Sequence, residues 1–333
     1  MTTLSTIWPR LERAAERHGA RRIGAGPLED AHVAKFEDWL ASKREGSMGY
    51  LRKNFAVRKD PGARFPWARS VIAISVPYEP ERPAAPEGTV ARHIARYALG
   101  DDYHEVLDAI LRDFEEIVAE ADPASKTWRY VDTGPLSDRS LAAQAGLGWI
   151  GKNGMLIDPD HGSFFFIGLL VTSLTLDIDP MEVADRCGDC TRCLDACPTN
   201  AILPGRLVDA NVCISHATIE QRGPIPDAMK ENLAGNLFGC DICQEVCPWN
   251  GAAPPGHPAF RARDAYRATP VSDLLRMPQE SFSTLFRKSA IKRAKRTGMM
   301  RNAVLLAGGK VGGEDLADPG VADAAAWKGS RGL

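Results

Sequence analysis

The sequence predicts an α+β protein: an N-terminal α/β domain, a small cysteine-built domain and a short helical C-terminal region. Three observations carry this. Apolar residues in the first 180 positions alternate between helical spacing and short continuous runs. All eight cysteines lie between Cys187 and Cys247. Beyond residue 258 the spacing is helical again, and residues 281–313 contain no acidic side chain. A length of 333 residues suggests about two domains. At this size core burial is not limiting, so no disulfide staples are needed.

The elements follow in order. Leu4, Ile7, Leu11 and Ala14/Ala15 recur at helical spacing, as do Val33, Phe36, Trp39 and Leu40. Val71–Val76 is a buried strand ending at Pro77, and the Pro-rich stretch 79–88 is a surface loop. Val106/Leu107, Ile110/Leu111, Phe114 and Ile117/Val118 make the clearest amphipathic helix. Trp128–Val131 reads as a strand running into the turn formers Asp132-Thr-Gly-Pro135. A helix is expected over Leu136–Ala145, then a glycine-rich loop over 145–154. Met155–Ile157 and Phe164–Val171 are expected to pair as strands around DPDHGS. Residues 250–258 form a linker. The resulting boundaries are 1–180, 181–255, 256–310, and a tail over 311–333.

The formal charge is −2, so the molecule is not a polycation, and any nucleic-acid contact must use a local basic patch. The longest apolar stretch, Phe164–Val171, is far short of the roughly 20 residues of a membrane span. The N-terminus is amphipathic, with no secretory apolar run, and Arg21-Arg22 precedes IGAGPLED rather than such a run. A cytoplasmic protein with reduced thiols and no membrane contact is expected.

Cys187-x2-Cys190-x2-Cys193-x3-Cys197-Pro198 is the spacing of bacterial two-cluster ferredoxins, whose fourth cysteine ligates the other cluster. Cys213, then Cys240-x2-Cys243-x3-Cys247-Pro248, repeats it with the first cysteine displaced upstream. Two [4Fe-4S] clusters are therefore expected. In the crossed arrangement one takes Cys187, Cys190, Cys193 and Cys247, and the other takes Cys197, Cys213, Cys240 and Cys243. The uncrossed division, each run of four to its own cluster, stays open. So does structural zinc, although zinc ribbons use paired C-x2-C knuckles. The chain moves electrons singly, and its large N-terminal domain implies something to reduce.

Three N-terminal segments, RYALGDDYH (96–104), VDTGPLSDR (131–139) and AGLGWIGKN (145–153), stand ahead of CGDCTRCLDACPTNAI and GCDICQEVCPWN. Together they resemble the epoxyqueuosine reductase family over about residues 5–310. The resemblance implies a cobalamin-dependent iron–sulfur enzyme that reduces epoxyqueuosine to queuosine at the wobble position of tRNA. It implies an α/β cobalamin-binding domain distantly like nitroreductases, beside a ferredoxin-like cluster domain. Asp132 matches the proton donor for the departing epoxide oxygen; such a donor needs a raised pKa, from burial or a neighbouring charge. Arg58, Arg96, Leu156, Ile167, Cys240 and Asp241 match cobalamin contacts.

The glycine loop 146–154 lacks a phosphate-binding pattern and is read as admitting the cofactor closely. His104 is expected to be a polar wall residue rather than a cobalt ligand. The basic stretch 287–301 fits phosphate contact with an anticodon stem-loop. RNAVLLAGGK (301–310) resembles the start of the HEAT-type repeat that longer members carry. The partners implied are tRNA and an unidentified electron donor, with the chain a monomer. The competing readings are a corrinoid reductive dehalogenase and a non-catalytic electron-transfer protein.

Overall fold

The computed structural model describes residues 2–179 and 183–332. The expected boundary between positions 180 and 181 lies outside the described residues. A four-stranded sheet organises the N-terminal region, with strands β1 (Arg22–Gly26), β2 (Ser70–Pro77), β3 (Thr127–Tyr130) and β6 (Phe165–Thr172) in the order β1-β2-β6-β3. Every pairing is antiparallel, so the alternation of helices and strands does not generate a parallel sheet. β2 is buried along its whole length, which is why it reads as a continuous apolar run rather than an alternating one.

Each face of the sheet has its own core. Helices α1 (Leu4–Arg17) and α3 (Tyr103–Ala121) cover one face with Leu4, Leu11, Leu107, Leu111 and Phe114. Helix α4 (Asp138–Gln144) covers the other, where Leu136, Leu141 and Leu147 meet Val71, Ala73 and Leu169. Helix α2 (Val33–Ala41) turns toward the cysteine segment, and Trp39 there donates its indole N–H to the Val208 carbonyl.

Two strand expectations change. The segment Arg22–Gly26 is a strand, although its two glycines and single β-branched residue give it little strand character. Gly24 has no room for a Cβ, which would sit 1.8 Å from the Ala145 carbonyl oxygen. The expected pairing of Met155–Ile157 with Phe164–Val171 does not form. Instead β5 (Leu156–Ile157) pairs with β4 (Trp149–Ile150), and β6 enters the main sheet. Asp158 and Gly162 close the intervening turn, so neighbours in sequence part into different sheets.

Short strands β7 (Ile202–Leu203) and β8 (Leu207–Val208) form a hairpin within the cysteine segment. The insertion between Cys213 and Cys240 joins a third core rather than the cluster region. Its helix α5 (Ile214–Ile219) and residues Leu233, Leu237 and Phe238 pack with Val90–Leu99 and with the C-terminal helix α6 (Lys295–Ala307). The stretch 311–333, expected as a tail, carries helix α7 (Pro319–Gly329), capped by Asp318, with Val321 and Ala324 fully buried. Lys230 anchors it by an ion pair to Asp323. No helix among the described residues is long and apolar enough to cross a membrane.

Candidate active site and cluster centres

Asp132 sits where β3 gives way to a tight turn, with φ +51°, a left-handed conformation that aspartate tolerates better than most residues. The turn is braced from beneath. The Tyr130 hydroxyl donates to the Asp132 and Leu136 carbonyls at 3.1 and 3.0 Å. Arg58 donates to the Pro135 and Leu136 carbonyls at 3.3 and 3.1 Å, and its guanidinium stacks over Phe36. Gly134 is required here, because a Cβ would lie 2.6 Å from the Tyr130 ring. Burial lowers the Arg58 pKa and raises that of Tyr130, so the brace is a half-buried cation and a protonated phenol.

The Asp132 side chain remains 58% exposed. Its Oδ2 accepts a 2.6 Å hydrogen bond from Tyr103, whose ring stacks on Phe166 beneath and on His104 beside it. Burial, then the Asp132 charge, holds the Tyr103 phenol well above its ordinary pKa, so it stays a donor. His104 Nε2 lies 3.8 Å from Asp132 Oδ2 and within 2.8 Å of the Thr133 hydroxyl. Its Nδ1 meets Asp102 at 2.8 Å. Burial lowers the His104 pKa, but the bond and charge of Asp102 outweigh it and the net shift is upward. Both ring nitrogens are thus engaged. Tyr103 was not singled out by sequence; its signal was its place beside His104 in the same motif.

Arg96 and Asp241 come together elsewhere. Asp241 is almost fully buried and accepts from the Arg96 backbone N–H at 2.8 Å and from its Nη1 at 3.1 Å. Arg96 also reaches Glu245 at 2.7 Å, and Arg82 bridges to the same two carboxylates. Arg96 Nε is buried without an acceptor, on the wall of a cavity of about 1050 Å³ that Phe164, Glu245 and Cys247 also line. The half-buried Tyr97 connects the two networks: it follows Arg96 in the chain, and its ring meets the Tyr103 ring edge-on at 6.3 Å. Ile167 is half-buried, whereas Leu156 is only 3% exposed and packs in the core under α4, so its side chain offers no open surface.

The glycine-rich loop serves a different contact from the one expected. A Cβ on Gly148 would stand 2.1 Å from the Ile157 carbonyl oxygen, and one on Gly151 would meet the Ile157 side chain at 2.5 Å. The close approach is thus to β5. The tip of the loop grips the cysteine segment. Lys152 Nζ donates to the Gly188 and Cys190 carbonyls, Asn153 to the Cys243 carbonyl, and the Trp149 indole N–H to Cys187 Sγ at 3.4 Å.

Cys187, Cys190, Cys193 and Cys247 line one small pocket, closed by Lys152, Pro248 and Trp249. The Cys193 thiol is pushed up by burial and then by Cys247, Cys187 and Cys190; burial and then Cys213 and Cys197 act on Cys240. Among the described residues no three ligand-type side chains converge on a single-ion site. N–H donors face the sulfurs, including Ala201 to Cys197 Sγ at 3.3 Å, which suits thiolates.

The basic stretch divides in two. Arg287, Lys288, Lys292, Arg293 and Lys295 are exposed. Arg301, expected to face phosphate, is only 2% exposed. Its guanidinium donates to the carbonyls of Ala217, Gln221 and Gly223 and to Asn302, so it is a structural residue. Arg296 is half-buried against Asp315.

Comparisons with known proteins accord with this arrangement. Residues 58–133 match the family described as epoxyqueuosine reductase QueG, DUF1730, and residues 186–250 match the 4Fe-4S double cluster binding domain. The chain is 40% identical over 285 residues to an epoxyqueuosine reductase of Cyclobacterium marinum, covering 84% of this chain and 89% of that one. It is 38% identical to that of Synechocystis, covering 84% and 98%. A crystal structure of epoxyqueuosine reductase with an epoxyqueuosine-modified tRNA-Tyr stem loop superposes with a TM-score of 0.82 at 31% identity, over 91% of this chain and 81% of that one. The Bacillus subtilis enzyme, with an aspartate-bearing catalytic loop swung out of its active site, gives a TM-score of 0.83 at 28% identity, over 97% and 84%. The match spans both the sheet that carries Asp132 and the segment that carries the cysteines, and the chain belongs to the epoxyqueuosine reductase family.

Proposed function

We propose that this chain reduces the epoxide of epoxyqueuosine in the tRNA anticodon to the alkene of queuosine. Two electrons and two protons enter, the two C–O bonds of the epoxide break, and water leaves. The observation that carries this reading is the exposed carboxyl of Asp132, set on a braced turn and hydrogen-bonded by Tyr103, in a chain that also gathers eight cysteines. We divide the chain as 1–180 for the cobalamin-binding domain, distantly nitroreductase-like, 181–255 for the ferredoxin-like domain and 256–310 for the helical region.

The residues fit the two cofactor types. Two four-cysteine sets, Cys187/190/193/247 and Cys197/213/240/243, would hold the [4Fe-4S] clusters in the crossed arrangement. For cobalamin the supporting observation is the orphaned donor Arg96 Nε. The amide-bearing rim of a corrin offers carbonyl acceptors for it and for Arg58, while His104 is engaged at both nitrogens. Ile167 and the Cys240-Asp241 backbone would complete the contacts, and Leu156 would act from behind through its strand. When bound, cobalamin supplies a cobalt centre that changes oxidation state by single electrons.

The chain's own chemistry is proton delivery. Asp132 gives its proton to the leaving oxygen, a role worth roughly 10²–10⁴-fold. Tyr103 fixes the carboxyl by its Oδ2 and leaves Oδ1 free to carry the proton. The test is anaerobic turnover on tRNA from a strain lacking the enzyme, with cobalamin and a strong reductant, read by nucleoside mass spectrometry. Loss of one oxygen mass from epoxyqueuosine, dependent on cobalamin, is expected. Intact clusters and bound cobalamin without conversion would refute the reading.

A further inference from the structure

The exposed basic stretch carries a feature that proton delivery does not use. Tyr50, which opens the short helix Tyr50–Lys53, is 42% exposed, unusual for a large apolar ring in this chain. The Arg293 guanidinium lies over that ring, 5.4 Å from its centroid. Arg293 is held in plane by Glu220, whose two oxygens accept from Nε and Nη2 at 2.7 and 2.8 Å. Its backbone carbonyl accepts from Arg222 as well. Glu220 is largely buried, but Arg293 and the Tyr50 ring are half-exposed, and the exposed half of this arrangement adds little to stability.

The basic stretch that carries Arg293 is tied to the start of helix α3, which bears Tyr103 and His104. Lys288, on the same basic stretch, pairs with Glu105, and its carbonyl accepts from the Asp102 backbone N–H. Lys292 and Lys295 stand exposed beside Arg293. A flat aromatic surface with a guanidinium plane and flanking ammonium groups has a chemical complement. Unpaired bases stack on such planes while the adjoining phosphates meet the cations.

We infer that Tyr50 and Arg293 form a stacking platform for an unpaired nucleobase of the RNA substrate, adjoining the base being reduced, with Lys292 and Lys295 on neighbouring phosphates. The inference rests on tRNA being the substrate. A modified base that leaves its stack to reach Asp132 leaves a neighbour exposed, and the platform covers that neighbour. Glu220 is a positioning residue that keeps the guanidinium plane over the ring.

The test uses the holoenzyme and an anticodon stem-loop carrying epoxyqueuosine. Tyr50→Ala should weaken binding by about 5- to 100-fold in fluorescence anisotropy, the range for loss of one stacked base. Tyr50→Phe should restore it. Tyr50→Ala should leave the dependence of affinity on salt unchanged, whereas Lys292→Ala should reduce its slope by about one. With 5-iodouridine at the loop positions flanking the modified base, light should cross-link one of them to the Tyr50 peptide. Wild-type affinity in Tyr50→Ala, with its iron content and melting temperature intact, would overturn the platform, as would cross-links that all map elsewhere. If the wild type binds the stem-loop but never converts it, the proposed reaction fails, while the Tyr50→Ala affinity still decides the platform.

Discussion

Two polar networks flank Tyr97, and they are built to opposite ends. Around Asp241 the chain has closed most of its polar groups on one another: a buried carboxylate, the Arg96 backbone and guanidinium, Glu245 and Arg82, with only Arg96 Nε left over. Around Asp132 it has left the carboxyl open, with one oxygen held by Tyr103 and the other without a partner among the described residues. The first network joins the segment after β2 to the cluster region, where a loose geometry would misplace the cysteines. The second must meet a substrate. The difference separates residues whose loss destabilises the chain from residues whose loss only stops it, although both are charged side chains near one half-buried tyrosine.

The sharpest way to break that distinction is to neutralise each centre in turn. Asp132→Asn should lower turnover by about 10²–10⁴-fold. It should leave iron content and melting temperature unchanged, because asparagine accepts the same left-handed backbone and its carbonyl still receives the Tyr103 hydrogen bond. Full turnover of this variant would remove Asp132 from its role. Arg96→Met should do the reverse in kind. It removes the Arg96 guanidinium from the buried Asp241 carboxyl, which keeps only the backbone N–H and the more distant Arg82, a loss of up to about 3–5 kcal/mol. A marked fall in melting temperature under anaerobic conditions is the expected readout; an unchanged melt would show that the closed network holds nothing together.

Arg301→Met extends the comparison into the third core. It leaves the carbonyls of Ala217, Gln221 and Gly223 short of a donor, at about 2–3 kcal/mol. The exposed cations of the same stretch give the contrast. Lys292→Ala should leave the melt unchanged, since that side chain is exposed. Equal melts for the two variants would mean that burial of Arg301 contributes nothing.

Sequence alone reached some of this and missed the rest for identifiable reasons. The cysteine spacing is local and chemically demanding, so a double-cluster segment could be read directly, and residues 186–250 match such a domain. The helices with strong apolar periodicity appear where expected, as α1 and α3 do. Strand β1 was invisible, because an edge strand rich in glycine owes its pairing to β2 rather than to its own residues. The glycine loop misled for the same reason: what its glycines approach is β5, a contact set by tertiary packing. Arg301 looked like its basic neighbours, and only the fold distinguishes a guanidinium capping buried carbonyls from one in water. The meeting of Tyr103 with Asp132 joins positions 29 residues apart, beyond any local periodicity.

The smallest expected effect lies in the ring that links the acid to its surroundings. Burial and Arg293 both lower the His104 pKa, while Asp102 and Asp132 raise it and prevail. The Asp102 carboxyl, which burial raises and His104 lowers, ends below its ordinary value. A raised histidine favours the protonated form in the folded state. The pair's stabilisation is therefore complete below the unfolded histidine value of about 6.5 and fades as pH climbs through the higher folded value. Falling pH removes the Asp102 share as it passes through the depressed carboxyl value. An NMR titration should find His104 above the ordinary histidine pKa, and Asp102→Asn should bring it below, since burial then acts with less opposition. His104→Gln should keep a hydrogen bond to Thr133 and cost turnover about tenfold or less, flattening the alkaline limb of the pH–rate profile rather than abolishing activity. A loss as large as that of Asp132→Asn would make the imidazole the acid and Asp132 its partner, and would move the open centre of this site by one side chain.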